Sequence, residues 1–141
     1  PQLLCGFCIG GEMALHIASL FSRQGVQPEL LLIDSFIQRD RSLPIAIDYP
    51  GTTEVINARR KKETDEMLTT QELPLYEGEI HLILASQFTT ERLRLNNDMI
   101  EVARNQFEEN AKEWSQIYPQ CSIEWVDAMH WDILKKVRIG N

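Results

Sequence analysis

Residues 6–11 read Gly-Phe-Cys-Ile-Gly-Gly and place Cys8 between glycines two positions before it and two after. This is the G-x-S-x-G pattern of a nucleophile elbow, with cysteine in the place of serine. Such a nucleophile sits on a sharp strand-to-helix turn in a strained backbone conformation. The residues two before and two after it crowd that turn, so Gly6 and Gly10 are expected to be obligatory, with Gly11 beside them. The turn leaves the thiol at a helix N-terminus, where the positive end of the dipole favours a thiolate. A cysteine of this kind needs a base within hydrogen-bond reach, and the base needs a carboxylate to orient it. Two positions qualify. Asp34 directly follows the apolar run Leu-Leu-Leu-Ile at 30–33, and His130 lies in a turn-like loop near the end of the chain.

The elements that must position these residues follow from the hydrophobic pattern. Residues 3–5 end a short buried strand. Residues 11–23 read as a helix with Ala14, Ile17, Ala18 and Phe21 on its apolar face and Glu12, His16, Ser19 and Arg23 on its polar one; Gly25 stops it. The run 30–33 is continuous and apolar, as in a parallel strand covered on both faces. A polar insertion occupies about 37–78, with a helix over about 53–69. Further strands are expected at 80–85 and 122–126, with a helix from 89 to about 118 between them, ended by Pro119. A last helix runs over about 132–138. Ligands and catalytic groups of such sheets gather at the C-terminal strand ends, which is where Cys8, Asp34 and His130 emerge.

Composition sets the outer limits. The 141 residues support one domain with a sizeable core. A net charge of −7 argues against a nucleic-acid partner. No apolar run approaches the roughly 20 residues of a membrane span. The opening Pro-Gln-Leu-Leu-Cys lacks a basic region and a long apolar core, so no secretion signal is expected. Three cysteines without framework spacing suit a reducing, cytoplasmic setting. The missing initiator Met suggests a fragment of something longer. If no strand precedes residues 3–5, their edge is open, which predicts either association with another chain, such as a homo-oligomer, or a longer native protein.

Three segments together, Gly6-Phe7-Cys8-Ile9-Gly10-Gly11-Glu12, Leu30-Leu31-Leu32-Ile33-Asp34-Ser35 and Met129-His130-Trp131-Asp132-Ile133-Leu134, resemble the thioesterase domains that terminate nonribosomal peptide synthetases and polyketide synthases. The resemblance implies the C-terminal half of an α/β-hydrolase fold, a parallel sheet with helices on both faces and a helical lid insertion at about 37–78. In that family the acid follows the strand immediately after the elbow helix, and here Asp34 comes 26 residues after Cys8. The resemblance implies Cys8 as nucleophile, Asp34 as acid, His130 as base and the Ile9 backbone N–H as oxyanion donor. The substrate would be an acyl chain on the phosphopantetheine arm of a carrier protein, with no cofactor of the enzyme's own. Two features depart from the pattern: most members carry serine at the nucleophile position, and the loop that supplies their second oxyanion donor precedes the elbow by several elements.

Other readings stand beside this one. Cys8 reads alternatively as a small core residue, a reading that the glycines on both sides of it disfavour. Cys5-Gly6-Phe7-Cys8 is a C-x-x-C that resembles a thioredoxin-like redox site. Cys5, Cys8, Cys121 and His130 offer zinc-ligand chemistry without the usual paired spacing. Asp34 could be a turn or capping residue, and His130 a loop histidine stacked on Trp131. Dienelactone-hydrolase-like and polyester-synthase-like enzymes also resemble G-x-C-x-G-G at the elbow; a later acid such as Asp98 would mark them. His16 is expected to be solvated and His81 structural. Trp114, Trp125 and Trp131 read as core. The basic run Arg59, Arg60, Lys61 and Lys62 is a solvated helix face or a contact for an acidic carrier.

Overall fold

The computed structural model describes residues 2–37, 73–87, 97–130 and 132–137, with the backbone alone for 97–103 and 106. The chain divides into two compact units, one of residues 1–37, 73–88 and 108–141 and the other of residues 38–72 and 89–107. The first unit holds the sheet and every candidate site residue. Most of the expected lid, its helix at 53–69, the basic run and Trp131 lie outside the described residues.

The described elements are β1 (Leu3–Phe7), α1 (Ile9–Ser22), β2 (Glu29–Ile33), β3 (Ile80–Gln87), α2 (Asn97–Ile117), β4 (Cys121–Met129) and the single turn α3 (Ile133–Lys136). The four strands form one parallel sheet in the order β1-β2-β3-β4. Chain order is sheet order, so all four C-terminal ends line one edge. The apolar runs of β2 and β3 form strands because both faces are covered. On one face Leu30, Leu32, Ile80, Leu82 and Leu84 pack against Ala14, Leu15 and Ala18 of α1 and Trp114 and Tyr118 at the end of α2. On the other, Ile33, Ala85 and Ala128 pack with Ile133 of α3 and with part-buried Phe7, Leu31, Ile83, Val126 and Val137. The parallel sheet with helices on both faces is as the sequence predicts. No helix among the described residues is long and apolar enough to cross a membrane.

Two elements differ from expectation. Helix α1 is rotated relative to its apparent amphipathic face: Glu12 and Ser19 are buried, whereas Ile17 is 44% and Phe21 37% exposed. Backbone contact at the elbow sets the helix phase before side-chain hydropathy can. A Cβ on Gly6 would lie 2.3 Å from the Gly10 carbonyl oxygen, and one on Gly11 would lie 1.8 Å from Ser35 Oγ. These approaches turn the Gly11, Leu15 and Ala18 stripe inward. His16, expected to be solvated, is half-buried, and burial holds its pKa below the usual histidine value. Strand β4 is also longer than predicted, and its pairing with β3 shifts register between Ala85 and Gln87. Such bulges bend the strand that carries them, and His130 is the next residue after β4.

Candidate active site

Cys8 connects β1 to α1 with φ 56 and ψ −124. A non-glycine residue here is strained by roughly 1–3 kcal/mol, and such strain persists only where the surroundings impose it. The surroundings are visible. The Cys8 N–H donates to the Ile33 carbonyl at 2.9 Å, continuing the β1–β2 ladder, while the Cys8 carbonyl accepts the Gly11 N–H at 3.1 Å and starts the helix. The chain must therefore leave a strand and enter a helix within one residue. Gly6 is obligatory because the first turn of α1 folds back onto it. Gly10 differs from expectation: no atom lies within 4 Å of where its Cβ would be, and the position that cannot hold a side chain is Gly11, against Ser35. Ile9 opens α1, so its N–H is among the amides that an α-helix leaves without an intrahelical partner.

Asp34 stands at the end of β2 with φ 48. Its N–H donates to the Ile83 carbonyl at 2.7 Å, and its Oδ1 accepts the Ala85 N–H at 2.9 Å. The carboxylate is thus lodged across the end of β3, with 1% of the side chain exposed. Oδ2 meets His130 Nδ1. The imidazole arrives from beyond β4, two strands away, and its ring stacks on Phe7 with centroids 4.9 Å apart and planes at 25°. The stacking partner within the described residues is therefore Phe7, where the sequence suggests Trp131. Burial depresses the His130 pKa, but hydrogen bonds to Asp34 and Cys8, with the charges of both, outweigh it and raise the pKa to about 9. The imidazole is therefore bonded to the carboxylate through Nδ1, with the thiol near enough to add to the shift.

Sequence reasoning missed the residues that brace Asp34. The Ser35 carbonyl accepts Asn110 Nδ2 and Trp114 Nε1, both at 3.1 Å. Asn110 Oδ1 in turn accepts the Ile37 N–H at 2.8 Å. One side chain of α2 therefore pairs the backbone on both sides of Phe36, much as a strand would. Trp114 reads from sequence as core, which it is, but its indole N–H also has this task. No local signal marks Asn110; a buried amide on a helix face becomes meaningful only once its partner loop is known.

The alternative constellations fare differently. Cys5 is paired with Leu31 inside β1, not at the helix start as a C-x-x-C redox pair requires, and Cys5, Cys8 and Cys121 are all free thiols. Cys121 opens β4 at the opposite end of the sheet from Cys8 and His130, which separates the suggested zinc ligands; burial pushes its thiol up to about 11. At that far end Glu29, Glu79 and His81 bring three ligand atoms within 4.8 Å of one another, with His81 Nδ1 on Ser122 Oγ at 3.0 Å. Asp98 has no described side chain.

Against solved structures, the chain is similar to the NocB thioesterase domain from the nocardicin cluster, with a TM-score of 0.56 and 19% identity over 94% of this chain and 57% of that one. The fold is that of a thioesterase domain. A second thioesterase fold, the Vlm2 domain with genetically encoded 2,3-diaminopropionic acid and a bound dodecadepsipeptide, matches with a TM-score of 0.51 and 15% identity over 94% of this chain and 59% of that one. The chain therefore spans under two thirds of the length of these two thioesterase domains. No protein-family model and no curated protein matches the sequence.

Proposed function

We propose that this chain carries the nucleophile, acid and base of a thioesterase that releases a peptidyl or polyketide chain from the phosphopantetheine thioester of a carrier protein. The observation that carries the reading is the convergence of Cys8, Asp34 and His130 from three strand ends onto one imidazole. The thioesterase fold supports it, and the depsipeptide bound by the Vlm2 domain supports a peptide-like acyl chain.

In this mechanism His130 takes the Cys8 proton as the sulfur attacks the thioester carbonyl. The carbon–sulfur bond to the pantetheine breaks, and the imidazolium gives that proton to the departing thiolate. The Ile9 N–H supports the oxyanion. His130 then takes a proton from water, or from an internal amine or hydroxyl, as that group attacks acyl-Cys8; Cys8 leaves as a thiolate. Asp34 fixes the imidazole tautomer throughout. Exchange of one thioester for another is nearly level in energy, so the acyl group stays activated for aminolysis or ring closure. The chemistry draws on no cofactor of the chain's own, in a reducing, cytoplasmic setting. Hydrolysis and cyclisation are both open to it.

The test is intact-mass analysis after exposure to an acyl-pantetheine thioester probe. The wild-type chain should gain one acyl group, and Cys8→Ala and His130→Ala should not. Persistent labelling of Cys8→Ala would sink the reading. The activated-acyl idea has its own test: a Cys8→Ser enzyme that forms the same product at the same rate would overturn it. The dienelactone-hydrolase-like and polyester-synthase-like alternatives need a later acid; the hydrogen bond of Asp34 to His130 favours the early one. Association through the open edge of β1 belongs to the same reading, and a monomer by light scattering would count against it.

A further inference from the structure

Two neighbouring residues of the elbow serve the site differently. Strand alternation sends the Phe7 side chain to the face of the sheet where Ile33, Ala85, Ala128 and Ile133 are buried. The Phe7 ring thereby lies against the His130 imidazole, centroids 4.9 Å apart and planes 25° from parallel. Asp34 faces that imidazole from the end of β2 and Cys8 from the end of β1. In its own loop, Asp132 is near Lys135, at 3.9 Å. The core around Phe7 is apolar.

We propose that Phe7 is a positioning residue for His130, its ring fixing the plane of the imidazole and favouring the imidazolium form through its electron-rich face. The inference rests on the reading of Cys8 and His130 as a working pair. Asp34 holds the Nδ1 edge of the imidazole and Phe7 one face, and together they fix the plane of the ring. The raised pKa of His130 agrees with a site that favours the cation. The position before the nucleophile thus has a task that G-x-C-x-G leaves unstated: it must be aromatic and must sit on the strand face opposite α1.

The experiment is an NMR titration of His130 in the 141-residue chain, comparing wild type, Phe7→Leu, Phe7→Tyr and a chain with pentafluorophenylalanine at position 7. Phe7→Leu should lower the His130 pKa by roughly half to one unit, Phe7→Tyr should leave it near the wild-type value, and the fluorinated ring, which keeps the shape and reverses the charge of the face, should lower it as Phe7→Leu does. An unchanged pKa with the fluorinated ring overturns the proposal, and this arm decides the matter even if Phe7→Leu does not fold. The titration does not depend on acylation. A chain that shows these shifts but takes no acyl group on Cys8 keeps the role of Phe7 and loses the thioesterase reading; a chain that is acylated without the shifts does the reverse.

Discussion

At the end of β2, Asp34 is held by backbone and core; at the end of β4, His130 is held by side chains. The Asp34 corner has two ladder-like hydrogen bonds to β3, a fully buried Ser35 next to it, and Asn110 and Trp114 clamping the outgoing chain. The His130 corner follows a register shift on an edge strand and leaves 18% of the imidazole exposed. Its described anchors include the Asp34 carboxylate and the Phe7 ring. The difference makes chemical sense. The acid keeps one charge state and one place throughout the proposed cycle, and a rigid seat gives it both. The base must gain and lose a proton, so its environment is built from groups that respond to charge. The acid is therefore the foundation of the base, and damage should pass from Asp34 to His130 more than in the other direction.

Asp34→Asn tests that order most severely. It preserves shape but removes the charge that supports the imidazolium and the acceptor that selects the tautomer. Acylation of Cys8 should fall by about 10³–10⁴-fold, and the His130 pKa should drop well below 9; stopped-flow labelling and the NMR titration read the two effects. A fall of less than about tenfold would mean that the imidazole is oriented by something else.

Asn110→Ala probes the clamp from a distance. It leaves the Ile37 N–H without its acceptor and removes one donor from Ser35, so urea unfolding should show a loss of about 1–3 kcal/mol. If the clamp positions Asp34, the acylation rate should fall as well. A loss of stability with an unchanged rate would confine the clamp to folding.

The elbow glycines give a graded series. Gly6→Ala should be the most damaging, since its Cβ would meet backbone at 2.3–2.5 Å. Gly11→Ala must displace the buried Ser35 and should cost about 1–3 kcal/mol. Gly10→Ala meets open space in a helix and should be neutral or stabilising by up to about 1 kcal/mol. Thermal melts rank the three, and equal effects at Gly10 and Gly11 would contradict the packing described.

A last expected effect is on pH dependence. The folded His130 pKa of about 9 lies above its ordinary value of 6.5, so the folded state holds the extra proton between the two. The stabilisation is complete below about 6.5 and is lost as pH rises through about 9. Unfolding free energy should therefore decline over that interval in wild type, and the decline should be shallower in His130→Ala; parallel curves would remove His130 as its source.

Much of this architecture was legible along the chain. Buried parallel strands are continuous apolar runs, so β2 and β3 could be read directly, and Gly25, with φ 84, closes the first helix as a left-handed residue does. The elbow was legible because its constraints act within six consecutive residues. Asp34 was legible because a carboxylate directly after a buried strand can only emerge at the C-terminal edge. The phase of α1 was not, because backbone contact at Gly6 and Gly11 overrides the hydropathy of Ile17 and Phe21. Nor was the brace by Asn110 and Trp114, 75 and 79 residues from the carbonyl they hold.

The sequence by itself determined which residues could do chemistry and that all of them would reach the same edge of a parallel sheet, since that follows from local pattern and strand polarity. Tertiary structure alone decided that His130 crosses the end of β3 to meet a carboxylate 96 residues earlier, and that the ring of Phe7 stacks on it. Those choices depend on the sheet order and on the register shift between β3 and β4, long-range quantities that no window of the sequence contains.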